Sequence, residues 1–393
     1  MSKMTTIRVG YDVNGFQQRF GGVSRYFCEM IRRLPGDIRW ELPFVETHNA
    51  YLTQAPYFKR PSRMFLGKFL PEVSLRFRIP LYKAYKAAAL LSFGLLPSEE
   101  VANFRHVRKM VDSGMFDLIH FTGPHWLGKD WRYAVGRIPY VVTIHDLIPE
   151  LFDEQPEAVA ERGEVLENAA HVIAVSERTK ADIVRLYGTP EEKITVIYHG
   201  RTCNEDVQVC PVAGIAPHTY LLFVGMRCSY KNWSYFVRAV SEVLISRNLT
   251  LVCVGAPFNA EEKGILEDCH VGDLVRCIAC RDDELAWLYR NAIAFVYPSK
   301  CEGFGLPILE AFARRCPVAL SRCSCFPEIA GDAALYFDDG NDVELRTQVE
   351  SVLDGSVREG LVQRGIRRCA DFSWECCAAQ TAEVYRKVKE GIS

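Results

Sequence analysis

The feature that most constrains this chain is a rhythm of short strands, apolar on both faces, separated by longer stretches with helical spacing. The segments Ile7 to Gly10, Trp40 to Val45, Asp117 to Phe121, Tyr140 to Ile144, Val172 to Val175 and Thr195 to Tyr198 have this strand character. Helical patterns such as Val23 to Leu34 and Glu177 to Tyr187 lie between them. Strands without a polar face must be covered on both sides, so the pattern predicts an α/β architecture with a mostly parallel sheet between helices. The series restarts with Tyr220 to Val224, Leu249 to Val254, Val275 to Ile278, Ile293 to Tyr297 and Pro317 to Leu320. Between the two series, Gly200 to Pro217 has no clear period and carries Gly200, Pro211, Gly214 and Pro217, which marks a linker. Two Rossmann-like, doubly wound domains are therefore expected, the first over 1–199. Such sheets bind ligands beyond the carboxyl ends of their strands, so a cleft between two facing domains is the expected site.

Composition excludes several other classes. The 393 residues supply two cores, and 49% hydrophobic with 24% charged residues is ordinary globular usage. A net charge of −2 argues against nucleic acid as the main partner. Fifteen cysteines, an odd number, with no charged-then-apolar segment before Ile7, point to a reducing cytoplasm rather than a disulfide scaffold. No apolar run approaches the roughly 20 residues of a membrane span; Ala87 to Leu96 is interrupted by Ser92 and Gly94. One tract stands out. From Lys59 to Lys86 eight Lys and Arg face a single acid, Glu72, and alternate with Phe58, Phe65, Phe69, Phe77 and several leucines. That mixture suits a peripheral contact with an anionic membrane. It equally suits a solvated helix pair whose basic stems lie along apolar surface.

The chemistry-bearing residues follow strands. Gly21-Gly22-Val23 opens a helix after the first strand, where free backbone amides and missing side chains make an anion site for a diphosphate. No Gly-x-Gly-x-x-Gly accompanies it, which lowers the case for a dinucleotide-dependent dehydrogenase. His145 ends the strand Tyr140 to Ile144, where neutral imidazole can contact a sugar hydroxyl or hold a neighbouring loop. His120 and His125 suggest a polar cleft nearby, too loosely arranged for a metal. In the second series Gly225 leads into Arg227 and Lys231, two cations able to clamp a phosphate and stabilise it as it departs. The most specific string is Glu302-Gly303-Phe304-Gly305-Leu306-Pro307-Ile308-Leu309-Glu310: a strand end, a tight glycine loop, a helix start and two carboxylates. Such carboxylates can take paired hydrogen bonds from the hydroxyls of a sugar and a ribose. The pairs Cys277/Cys280, Cys323/Cys325 and Cys376/Cys377 read as packing, and no Asp-x-Asp cluster follows a strand, so no metal or other cofactor is expected.

The two glutamates of that string, with seven residues between them, resemble the donor motif of retaining glycosyltransferases of family four, which have the GT-B fold. Further segments resemble that family in the same order: Gly21-Gly22-Val23, Val142 to Asp146, Val172 to Ser176, Ile197 to Gly200, Phe223 to Gly225 with Lys231-Asn232, and Pro327 to Ala334. The resemblance implies an acceptor-side domain over 1–199, a nucleotide-sugar domain over 200–372, and a last helix in 373–393 that returns to the first domain. It implies that Arg227 and Lys231 contact the donor diphosphate, Glu310 the ribose, Glu302 the transferred sugar, Gly22 the diphosphate and His145 the sugar. His145, Arg227, Lys231 and Glu302 thus carry the chemistry, and Gly21, Gly22, Gly225, Gly303, Phe304, Gly305, Leu306 and Glu310 complete the donor pocket. The branch it leans toward transfers mannose from GDP-mannose to a glycan or lipid-linked glycan in surface polysaccharide, without metal and by front-face substitution. Departures lie at Cys228-Ser229-Tyr230, Lys300-Cys301 and Arg322-Cys323 with Cys325, beside the donor pocket. The rival readings are a non-catalytic nucleotide-sugar scaffold and a GT-B epimerase or phosphorylase.

Overall fold

The computed structural model describes residues 6–12, 14–16, 21–42, 49–54, 108–109, 111–123, 133–152, 156–201 and 209–391. The basic tract 59–86 and His125 lie outside the described residues. The first sheet contains β1 (Ile7–Tyr11), β2 (Ile38–Glu41), β3 (Leu118–Phe121), β4 (Tyr140–Ile144), β5 (His171–Ala174) and β6 (Ile194–Val196), in the order β2-β1-β3-β4-β5-β6. The second contains β7 (Tyr220–Val224), β8 (Thr250–Val254), β9 (Val275–Ile278), β10 (Ala294–Tyr297), β11 (Val318–Ser321) and β12 (Leu335–Phe337), in the order β12-β11-β10-β7-β8-β9. Neighbouring strands pair in parallel throughout. The order reverses between β1 and β3 in one sheet and between β7 and β10 in the other, and each reversal opens a crevice at the strands' carboxyl ends.

Two details depart from the sequence reading. The second strand begins at Ile38, because Ile38 and Trp40 take up register against Ile7 and Val9, while the apolar run from Trp40 drew the expected strand toward Val45. The short β12 was not singled out in the sequence, although Ala333 to Phe337 are all apolar, and it forms where Leu335 to Phe337 pair with Ala319 to Ser321.

The last helix, Trp374–Glu390, packs on the first sheet: Trp374, Cys377, Tyr385 and Val388 join Ile7, Val9, Tyr11 and Phe27 in one core. Tyr385 hydroxyl lies 2.7 Å from Tyr11 hydroxyl and 2.6 Å from Nδ1 of buried His120. Lys389 reaches Asp117 at 2.9 Å and Arg386 grips Asp37. The chain leaves the first domain and re-enters it side by side, since a Cβ at Gly200 would meet the backbone nitrogen of Trp374 at 2.1 Å.

The tightest seam between the domains is at Gly303. A Cβ there would sit 1.5 Å from the carbonyl oxygen of His145, so only glycine lets the loop after β10 lie on the loop after β4. The Gly303 carbonyl accepts hydrogen bonds from Ser176 Oγ at 2.7 Å and Thr179 Oγ1 at 3.3 Å. Ser176 caps the helix Glu177–Tyr187, and Glu328 of the second domain accepts from that helix's Glu177 and Arg178 amides at 2.6 and 3.2 Å. A carboxylate at a helix start is favoured by the helix dipole, so the seam is charge-matched as well as close-packed.

Beside the seam lies an aromatic cage of Tyr26, Phe304 and Trp374 around His199, whose ring centroid is 4.4 Å from that of Phe304 and 4.6 Å from that of Tyr26. Neither His199 ring nitrogen has a hydrogen-bond partner among the described residues, and burial holds this imidazole neutral, well below its usual range.

Two expectations follow from this packing. Gly303→Ala should cost at least the ~1–3 kcal/mol typical of overpacking, whereas Gly264→Ala, in open space on a helix, should be neutral or gain about 0.5–1 kcal/mol. Denaturant titrations of both variants measure this, and equal stability of G303A and wild type would contradict the close approach. For His199, the unfolded chain takes up a proton below about pH 6.5 while the folded chain does not, so stability falls with acidification by about 1.4 kcal/mol per pH unit. His199→Phe should shrink the loss of midpoint between pH 7 and pH 5; an unchanged loss would contradict a caged neutral imidazole.

Candidate active site

The second sheet's crevice is built by the loops after β7 and β10. Gly225, at φ +130°, ends β7 and is followed by a short 3-10 turn, Ser229–Lys231, that delivers Lys231 to the crevice. Lys231 Nζ lies 2.5 Å from Glu302 Oε1 and donates to Tyr297 hydroxyl at 3.1 Å. Both charged side chains are only 12% exposed. An ammonium has three N–H donors, so one remains for a ligand. Glu302 is itself fixed by Ser324, whose Oγ accepts from the Glu302 amide at 3.1 Å and donates to its carbonyl at 2.5 Å.

Arg227 has a different setting. Its Nε and Nη2 form a bidentate pair with Glu262 at 2.7 and 3.1 Å, and Nη2 donates to the Ala256 carbonyl at 2.6 Å. The guanidinium lies 4.7 Å over Phe258, and the side chain is 5% exposed. Arg227 and Lys231 therefore share no partner here, and sequence reading had placed them on one phosphate without foreseeing Glu262.

Gly305, at φ +91°, is the residue before the helix Leu306–Ala313, and Pro307 fills its first turn, where a missing N–H costs nothing. Phe304 is buried against His199, Tyr198 and Phe372. Opposite, the helix Gly22–Ile31 starts after Gly21 in extended backbone. A Cβ at Gly22 would meet only Leu306 Cδ1, at 3.9 Å. The starts of two helices, one from each domain, thus approach each other at Gly22 and Leu306, each with the positive end of its dipole. The gap between them suits an anion.

His145 sits in the same seam. Its ring is ringed edge-on by Tyr26 at 5.0 Å and Phe27 at 5.8 Å, Nε2 has no partner among the described residues, and burial pulls the imidazole down to about 3. It is a neutral group able to donate or accept one hydrogen bond. At the first sheet's own reversal, buried Asp12 accepts from the Thr122 amide at 2.6 Å and from Asn14, and burial raises its carboxyl to about 6. Glu310 faces the other domain, where Arg25 Nη1 lies 2.7 Å from its Oε1. Arg25, Glu262 and Tyr297 were not found from the sequence: each is marked only by a partner remote in the chain. Among the described residues no group of three His, Cys, Asp or Glu side chains converges as a metal site requires.

Comparison with known proteins completes the picture. Residues 20–205 match the model of Glycosyltransferase Family 4, and residues 215–368 that of Glycosyl transferases group 1. The chain is 30% identical over 301 residues to O-antigen chain mannosyltransferase B of Escherichia coli, covering 69% of this chain and 79% of that protein. It is 29% identical over 254 residues to O-antigen chain mannosyltransferase RfbU of Salmonella typhimurium, covering 60% and 70% respectively. The crystal structure of Anabaena HepE in complex with UDP and glucose superposes with a TM-score of 0.69 at 17% identity, over 97% of this chain and all of that one. Sucrose-phosphate synthase from Thermosynechococcus elongatus does so with a TM-score of 0.66 at 20% identity, over 98% and 100%. Two parallel six-stranded sheets facing across a cleft, the Glu302–Glu310 string and these matches lead to one conclusion: the chain belongs to glycosyltransferase family 4 and has the GT-B fold.

Proposed function

We propose that this glycosyltransferase moves mannose from GDP-mannose, with retention of the anomeric configuration and without a metal ion, to a glycan or lipid-linked glycan acceptor of a surface polysaccharide. The observation that carries the donor reading is the meeting of the two helix starts at Gly22 and Leu306, beside Lys231 and Glu302. In this reading the diphosphate lies between the helix starts, where oriented amides and the free Lys231 N–H receive its charge. Arg227, in the same loop after β7, adds a second cation once it exchanges Glu262 for phosphate. Glu302 accepts from hydroxyls of the transferred sugar, His145 hydrogen-bonds another, and Glu310 holds the ribose.

The bond between the sugar's anomeric carbon and the diphosphate oxygen breaks as the acceptor oxygen bonds to that carbon on the same face. The acceptor's proton passes to the departing diphosphate oxygen, which needs no protein carboxylate as nucleophile. The names of the mannosyltransferase relatives favour mannose, and the basic, aromatic composition of residues 59–86 favours a lipid-linked acceptor on the cytoplasmic side of a membrane. Among the described residues no helix is long and apolar enough to cross a membrane.

Incubation with a panel of labelled nucleotide sugars tests the donor: GDP release from GDP-mannose is expected, and release only from UDP-sugars would replace mannose in the proposal. NMR of the product should show the donor's anomeric configuration, and an inverted linkage would remove the front-face route. Lys231→Ala should lower kcat by about 10²–10³, the usual loss of one preorganised charge-stabilising donor. Gly22→Ala tests the cleft separately, because the protein leaves room for the methyl group. It should melt like wild type yet bind GDP at least roughly tenfold more weakly; unchanged affinity would place the diphosphate elsewhere.

A further inference from the structure

Arg25 lies one turn into the first domain's helix Gly22–Ile31 and meets Glu310 of the second domain's helix Leu306–Ala313 across the cleft. Nη1 is 2.7 Å from Oε1, and Oε2 is 3.5 Å from Tyr289 hydroxyl. Resting on the reading of Glu310 as the ribose contact, we infer that Arg25 is a positioning residue for the donor: it holds the Glu310 carboxylate across the cleft so that the ribose diol can be gripped.

The chemistry is a matter of lone pairs. A carboxylate offers about four acceptor positions; Arg25 takes one and Tyr289 one at long reach, leaving two for adjacent hydroxyls. The carboxyl group keeps that capacity only while ionised. Burial pushes Glu310 up, toward the protonated form, and Arg25 opposes this. The other titratable groups that face the pair are Glu29 on the same helix as Arg25, Tyr51 on the helix Ala50–Gln54, and Asp282 and Tyr289 on the helix Asp282–Asn291. Glu29 is already engaged by Arg32 and Arg33. Asp282 disfavours a charge on Glu310, so the cation that sustains the grip comes from the opposite domain. Donor recognition by the second domain would then be complete only when the first domain has closed upon it.

Calorimetry with GDP and UDP, each against its 2′,3′-dideoxy counterpart, isolates the ribose term. Wild type should prefer the ribonucleotide by roughly tenfold or more, as hydrogen bonds to a charged group allow. Glu310→Gln and Arg25→Gln should both collapse that preference, while Arg25→Lys keeps most of it. In R25Q the preference should grow with rising pH more than in wild type, because burial favours the protonated Glu310 once Arg25 no longer opposes it. If the pair were only a clamp between domains, R25Q would weaken both nucleotide forms equally and leave the ratio intact. A collapsed ratio in E310Q with an intact ratio in R25Q overturns the role of Arg25. An intact ratio in E310Q instead withdraws the ribose contact, and failure of both GDP and UDP to bind wild type withdraws the donor reading and this inference with it. Circular dichroism of R25K and R25Q separates a lost grip from a lost fold.

Discussion

Everything at the cleft depends on a backbone contact that no side chain could share: the loop after β10 lies on the His145 carbonyl at Gly303. The two sheets have no strand in common, so their relative position must come from such contacts. Gly303 supplies the closeness, and its own carbonyl is taken by Ser176 and Thr179. Glu328 fixes the adjacent helix by its N-terminal amides. With that seam in place, Gly22 comes against Leu306 and Glu310 comes within reach of Arg25. Loosening the seam by an ångström would separate the groups to which the proposed function assigns donor recognition.

The second regularity is electrostatic. Among the described residues the cations Lys231, Arg227 and Arg25 are each matched to a carboxylate: Lys231 to Glu302, Arg227 to Glu262, and Arg25 to Glu310. A largely buried charge without a partner is costly, so these pairs keep the cleft stable before any ligand arrives. In the proposed function Lys231 would receive a diphosphate through its remaining N–H, and Arg227 only by exchanging Glu262 for phosphate. The helix starts at Gly22 and Leu306 add the positive ends of two dipoles, which is why the proposed function seats the donor diphosphate there.

Much of the fold was legible because parallel strands buried on both faces leave a signal in any one strand: β4 and β7 start and end where their apolar runs do. β12 was not legible, since three residues at a sheet edge form a strand only through their neighbour. The Glu302–Glu310 string was equally local, with glycines, a proline and two carboxylates within nine positions. Arg25 was not, because it reads as an ordinary surface residue of a helix until the fold brings Glu310 to it from 285 residues away. The same holds for Glu262, which gives Arg227 a setting that spacing alone could not foretell. Local chemistry writes itself into the sequence; pairing across a seam does so only as composition.

In the proposed function the donor diphosphate sits between two helix starts contributed by different domains. A crystal structure with GDP bound tests it most directly. Phosphate density is expected between the helix starts at Gly22 and Leu306, with the remaining N–H of Lys231 donating to a phosphate oxygen. Phosphates bound instead at the first sheet's own crevice, against Asp12 and Thr122, would contradict it.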